Sequence, residues 1–94
     1  MDPEKIASVV ALYRTGFEKE GIRKMRVGVK RSSLSKQEML EHAHYLLDGI
    51  LLFSRDPDKQ GKTGRHLGSV QTLLLCAGWY TLEELMNHNR PDTL

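Results

Sequence analysis

Two short signatures, Ser35-Lys36-Gln37-Glu38 and Thr81-Leu82-Glu83-Glu84, mark where two helices begin. In each, a hydroxyl at the N-cap can accept from the backbone N–H three residues on. The glutamate at that position reaches back to the N-cap N–H, so two otherwise orphaned donors are satisfied together. Leu34 with Met39, and Tyr80 with Leu85, stand at the two positions of a hydrophobic staple around these boxes. No other local signal in the chain is as sharp.

Apolar spacing fills in the remaining elements. Asp2 and Pro3 read as an N-cap and first-turn proline, and Ile6, Val9, Val10, Tyr13 and Phe17 recur at helical spacing until Gly21 offers a C-terminal stop. The helix opened by Ser35 carries Met39, Ala43, Leu46, Leu47, Ile50 and Leu51 on one side and runs to Asp56-Pro57. A polar loop over residues 55–62 then allows a reversal into a third helix, predicted to be capped by Thr63, with Leu67, Val70, Leu74 and Ala77 on its apolar face and Gly78 closing it. Gly64 and Gly68 lie one turn apart near its start, where a neighbouring backbone or a ligand can come close. The fourth helix runs from Thr81 to about Asn89, ahead of Pro91. The expectation is an all-α chain: one domain over residues 1–94, a small bundle of three long-to-medium helices plus a short C-terminal helix.

At 94 residues with 39% apolar content, the core of such a bundle is small and its stability margin thin, which favours oligomerisation. Helix two is apolar beyond one stripe, with Tyr45, Leu52 and Phe53 flanking the main face, so a homodimer or higher homo-oligomer built on it is expected. Cys76 is the single cysteine and sits among Leu73, Leu74, Leu75 and Ala77, the setting of an inert core thiol in a reducing cytoplasm. The first residues are acidic rather than a basic leader, and no apolar run approaches the roughly 18 residues of a membrane span. A soluble cytoplasmic protein with no membrane partner is therefore expected.

Charge is distributed unevenly. Formal charge is only +2, yet between Glu20 and Glu38 lie six basic residues, Arg23, Lys24, Arg26, Lys30, Arg31 and Lys36, and no acidic one. Met25, Val27 and Val29 alternate with Arg26, Gly28 and Lys30, as in a strand, while Ile22, Met25 and Val29 also match helical spacing; Gly28 and the two valines favour an extended or irregular basic segment between helices one and two, and a strand here would pair across a dimer. Such a cluster beside the free N–H groups of a capped helix suits phosphate, with Ser32, Ser33 and Ser35 as further donors, and Lys59, Lys62, Arg65 and His66 form a second basic group near the start of helix three. The competing reading is a solvated loop that pairs with acids on helices one and four.

Catalytic and metal motifs fail on their mechanics. Gly61-Lys62-Thr63 has the ending of a phosphate-binding loop, but Asp56 stands where that loop needs glycine and no strand precedes it. Glu41 and His44 have di-iron spacing, but the chain has no second such pair, so Glu41, His44 and Asp48 read as an exposed, mutually paired stripe. Trp79 and Tyr80 are expected to anchor the last helix in the core. No catalytic residue, cofactor or metal ligand is expected.

Residues 65–71, Arg-His-Leu-Gly-Ser-Val-Gln, followed by Gly78, Thr81-Leu82-Glu83-Glu84-Leu85 and Asn87-His88-Asn89-Arg90, resemble the C-terminal half of small bacteriophage and prophage proteins. His66 replaces an aromatic of that pattern and Thr72 a second glycine. The resemblance implies an accessory phage protein acting in the host cytoplasm and supplies no catalytic residues.

Two function classes follow. One is binding, without turnover, of an anionic phosphate-bearing ligand such as a nucleotide signal, in a counter-defence role, through Arg23, Lys24, Arg26, Lys30, Arg31, Ser33, Lys62, Arg65 and His66. The other is a protein inhibitor that docks its basic face on an acidic or nucleic-acid-mimicking host surface. Long nucleic acid ranks lower, because the chain lacks interleaved surface aromatics.

Overall fold

A computed structural model describes residues 1–28 and 30–91. Among them the fold is all helical: α1 (Pro3–Lys19), α2 (Lys36–Ser54), a single 3-10 turn (Pro57–Lys59), α3 (Gln60–Cys76) and α4 (Leu82–Asn89). Both capping boxes form with both of their hydrogen bonds, and Asp2 accepts from the N–H of Lys5 to start α1.

α1 and α3 end in the same way. Gly21 and Gly78 take φ of +67° and +78°. The N–H of each bonds three residues back, to Glu18 and Leu75, and the next residue bonds five back, Ile22 to Phe17 and Trp79 to Leu74. This pairing satisfies the last carbonyls and reverses the chain, at a left-handed geometry that glycine adopts without a Cβ penalty.

α2 packs most extensively against α3, and α1 lies across α2. Tyr13 and Phe17 of α1, Leu47 and Ile50 of α2 and Val70 and Leu74 of α3 are fully enclosed. Each such apolar side chain contributes about 1.5–3 kcal/mol of burial. Trp79 and Tyr80 pack on the edge of this core as expected, Trp79 with its ring 5.2 Å from that of Phe17. α4 is secured by polar bonds: Tyr13 Oη lies 2.8 Å from His88 Nδ1, Gln71 donates to Tyr13 Oη at 3.0 Å, and Gln71 and Asn89 exchange amide bonds at 2.7 and 2.9 Å.

Three expectations are corrected. Helix three begins at Gln60, not after a Thr63 cap; Thr63 is buried within the helix, its hydroxyl donating to the Lys59 carbonyl. Asp56 caps the 3-10 turn through the N–H of Asp58, and that turn runs straight into α3. Gln60 then donates to the carbonyls of Ser54 and Asp56, closing the end of α2. Cys76 is exposed rather than a core thiol, because the buried face of α3 is Thr63, Leu67, Val70, Gln71 and Leu74 and position 76 falls off that stripe. Glu41 and His44 are buried, not part of an exposed stripe; only Asp48 of that trio is exposed.

Candidate anion-binding groove

Burial of Glu41 and His44 follows from the path of the basic segment. After Gly21 the chain turns back and lies antiparallel along α2. His44 Nδ1 donates to the Ile22 carbonyl at 2.8 Å, the N–H of Met25 bonds the Glu41 carbonyl at 3.2 Å, and the N–H of Val27 bonds His42 Nδ1 at 3.1 Å. The segment is extended as expected, but among the described residues no strand forms: α2 itself takes these backbone groups. Val29, the third of the alternating apolar residues, lies outside the described residues.

Three of the six clustered cations are paired by this docking. Arg23 Nε donates to Glu41 Oε2 at 2.7 Å, Lys24 to Asp48 at 3.1 Å, and Arg31 holds Glu38 through both oxygens at 2.9 and 3.0 Å. The acids therefore come from α2, not from helices one and four. Arg14 adds a second bond to Asp48 at 2.6 Å. Burial works to raise the Asp48 carboxyl, but the hydrogen bonds and charges of Lys24 and Arg14 outweigh it and hold its pKa below the ordinary value. Glu38 is likewise lowered, first by the Ser35 N–H and then by Arg31. Among the described residues Arg26, Lys30 and Lys36 are exposed and have no ion-pair partner. Ser33 is exposed, and its carbonyl lies 3.5 Å from Arg31.

The second basic group lines a cleft. Lys62, Arg65 and His66 of α3, with Ser69, face His42 and Leu46 of α2 across a hollow of about 350 Å³ that contains no acidic residue. Lys62 Nζ sits 4.3 Å above the Phe53 ring, a cation–π contact. Arg65 Nη1 lies 3.3 Å from where a side chain on Gly61 would begin, so the absence of a Cβ there gives the guanidinium its room.

His42 links the two basic groups. Because Nδ1 accepts from Val27, the neutral ring carries its proton on Nε2. Its pKa is lowered chiefly by burial and then by the nearby charge of Arg26, so near neutral pH it is an uncharged donor. Of the candidate site residues, then, the structure gathers Lys62, Arg65 and His66, with Arg26 close enough to act on His42; it commits Arg23, Lys24 and Arg31 to α2 carboxylates. His42 was missed in the sequence. The stripe His42, Leu46, Gly49 and Phe53, at helical spacing on a second face of α2, was its only signal.

A larger hollow of about 460 Å³ lies beside Trp79 and Tyr80, but Lys19 and Glu20 both line it, so it has no preference for an anion. Among the described residues no group of three or more His, Cys, Asp or Glu is placed to hold a metal ion, and no helix is long and apolar enough to cross a membrane. No protein-family model, curated protein or solved structure matches the chain.

Proposed function

We propose that the chain binds a phosphate-bearing small molecule, such as a nucleotide signal, in the groove between α2 and α3 and holds it without turnover. The observation that carries this reading is the acid-free cleft lined by Lys62, Arg65 and His42, whose neutral ring carries its proton on Nε2 and feels the charge of Arg26. Binding without turnover is supported by the engagement of the cleft's hydroxyl: Ser69 donates to the Arg65 carbonyl. The resemblance of residues 65–90 to phage and prophage proteins gives the reading a context, a small accessory protein that keeps a host defence signal out of circulation in the host cytoplasm.

Titration of 15N-labelled protein with inorganic pyrophosphate and with AMP tests it. Amide shifts concentrated at His42, Lys62, Arg65 and His66, abolished in Lys62→Ala/Arg65→Ala and only shallowly dependent on salt, are the expected result. Shifts elsewhere, or none, overturn it.

A second reading, an inhibitor docking on an acidic host protein, is favoured by one observation. Arg26, Lys30 and Lys36 stay unpaired among the described residues, and the exposed Met25 lies on the same segment. Charge reversal at Lys30 and Lys36 separates the two, since it removes partner capture and leaves pyrophosphate binding in the groove.

A further inference from the structure

The cationic cleft is one half of a longer groove. A second hollow of about 230 Å³ adjoins it, sharing Leu46 and His66 and adding Tyr45, Asp48, Gly49 and Phe53. Its chemistry is different: three rings and one carboxylate.

Gly49 forms its floor. A Cβ built there would lie 3.4 Å from the Phe53 ring and 3.9 Å from His66, so its absence leaves a flat gap beside two aromatic side chains. Those rings meet edge to face, 5.3 Å apart at 73°. Tyr45 is 41% exposed and stacks on His42 with ring centroids 5.9 Å apart, joining the wall of this hollow to the donor end of the cleft.

Hydrogen-bonding polarity reverses along the groove. At the cleft end stand Arg65 and His42, whose neutral ring carries its proton on Nε2, while the Lys62 ammonium sits at the junction of the two hollows, over the Phe53 ring. At the other end stand acceptors. His66 Nδ1 donates to the Lys62 carbonyl at 2.9 Å, so Nε2 of the neutral ring keeps its lone pair. Asp48 is held ionised by Arg14 and Lys24, and a carboxylate offers about four lone-pair sites, of which these two bonds fill two.

From this polarised, aromatic-lined groove we infer that the ligand is a nucleoside phosphate, its phosphate on Lys62, Arg65 and His42 and its base in the hollow formed by Tyr45, Gly49, Phe53 and His66, with ring or sugar N–H and O–H groups donating to Asp48 and His66. This rests on the phosphate reading above and narrows it: inorganic phosphate and sugar phosphates fill only half of the groove. Base stacking of this kind is sequence-tolerant, so adenine and guanine nucleotides both bind, and donation to Asp48 sets the preference between them.

Calorimetric titration with AMP, GMP, ribose 5-phosphate and inorganic phosphate distinguishes the halves. The nucleotides should bind at least about tenfold more tightly than ribose 5-phosphate, the increment expected from stacking one base. Gly49→Ala should remove that difference by filling the floor while raising the thermal midpoint, since alanine is the better helix former and its Cβ meets only ordinary contacts; Tyr45→Ala should narrow it as well. If AMP, GMP and ribose 5-phosphate bind equally, or if the nucleotide preference survives Gly49→Ala in a folded protein, the base hollow is refuted and the phosphate site stands. If none of the four binds, both readings fall together.

Discussion

Val27 donates its backbone N–H to Nδ1 of His42 at 3.1 Å, and this one bond places the imidazole proton on Nε2. The basic segment thus fixes the tautomer of a ring on the helix beneath it. Replacing His42 with Phe keeps a ring against Tyr45 but removes the donor in the cleft and the acceptor for Val27. AMP affinity should fall by about tenfold, the scale of one hydrogen bond to a charged group. Calorimetry reads the loss, and faster amide exchange at Val27 should accompany it.

The ion pair of Arg23 with Glu41 is lopsided: the arginine side chain is 68% exposed and the glutamate 7%. Removing the exposed partner should therefore hurt more. Arg23→Ala leaves a buried carboxylate with only the long Gln37 bond at 3.4 Å and should cost about 1–3 kcal/mol, whereas Glu41→Gln lets Arg23 return to water and should cost less. Urea midpoints of the two variants decide the order.

Tyr13 joins three elements through one hydroxyl, accepting from Gln71 and bonding His88. Tyr13→Phe removes one bond from each of Gln71 and His88, leaving Gln71 only its Asn89 partner, and should cost about 1–3 kcal/mol, with amide exchange in α4 rising most. Burial pushes the Tyr13 pKa up to about 12 from 10.0, with the Gln71 bond opposing. A raised acid pKa means the folded state keeps its proton longer, so this contribution is intact below pH 10 and is lost as pH rises towards 12.

Acid acts in the opposite direction. His42, His44 and His88 all have pKa values lowered from 6.5, in each case first by burial. The unfolded chain therefore binds protons that the folded one refuses, and stability, full above 6.5, declines as pH falls through that value. Glu38 and Glu84, lowered from 4.5 by their capping bonds, lose their contribution in a second, more acidic step. Urea midpoints at pH 7.5, 5.5 and 3.5 should fall in that order.

Gly21 and Gly78 occupy left-handed positions in which a Cβ has open space around it, so alanine there meets backbone strain alone. Each Gly→Ala change should cost about 1–2 kcal/mol, while Gly49→Ala in α2 stabilises. Thermal midpoints shifting the same way at all three positions would contradict the assignment.

How much of this was legible beforehand depended on range. Both capping boxes, the Asp2 start and the two glycine stops are written within a few adjacent residues, and all appear where expected. The start of α3 differs from the Thr63 cap that the sequence predicts because a capped 3-10 turn supplies the entry. Glu41 and His44 looked like surface because what covers them is residues 22–25, some twenty positions away in sequence, whose folding back no periodicity encodes. For the same reason the acid-free tract looks free in the sequence: its partners Glu38, Glu41 and Asp48 stand on α2, beyond the tract's last residue. The groove was half visible, in Lys62, Arg65 and His66; its other wall needed the crossing of two helices.

That other wall comes from the next-door element. Ser54 and Gln60, joined by a side-chain bond, bracket a connection with almost no slack, and every residue lining both hollows of the groove lies between His42 and Ser69. Contacts so close in sequence close quickly and at small entropic cost. The α2–α3 hairpin is thus expected to close early in folding, so that the surface offered to a ligand takes shape before α4 docks through Tyr13, Gln71 and Asn89.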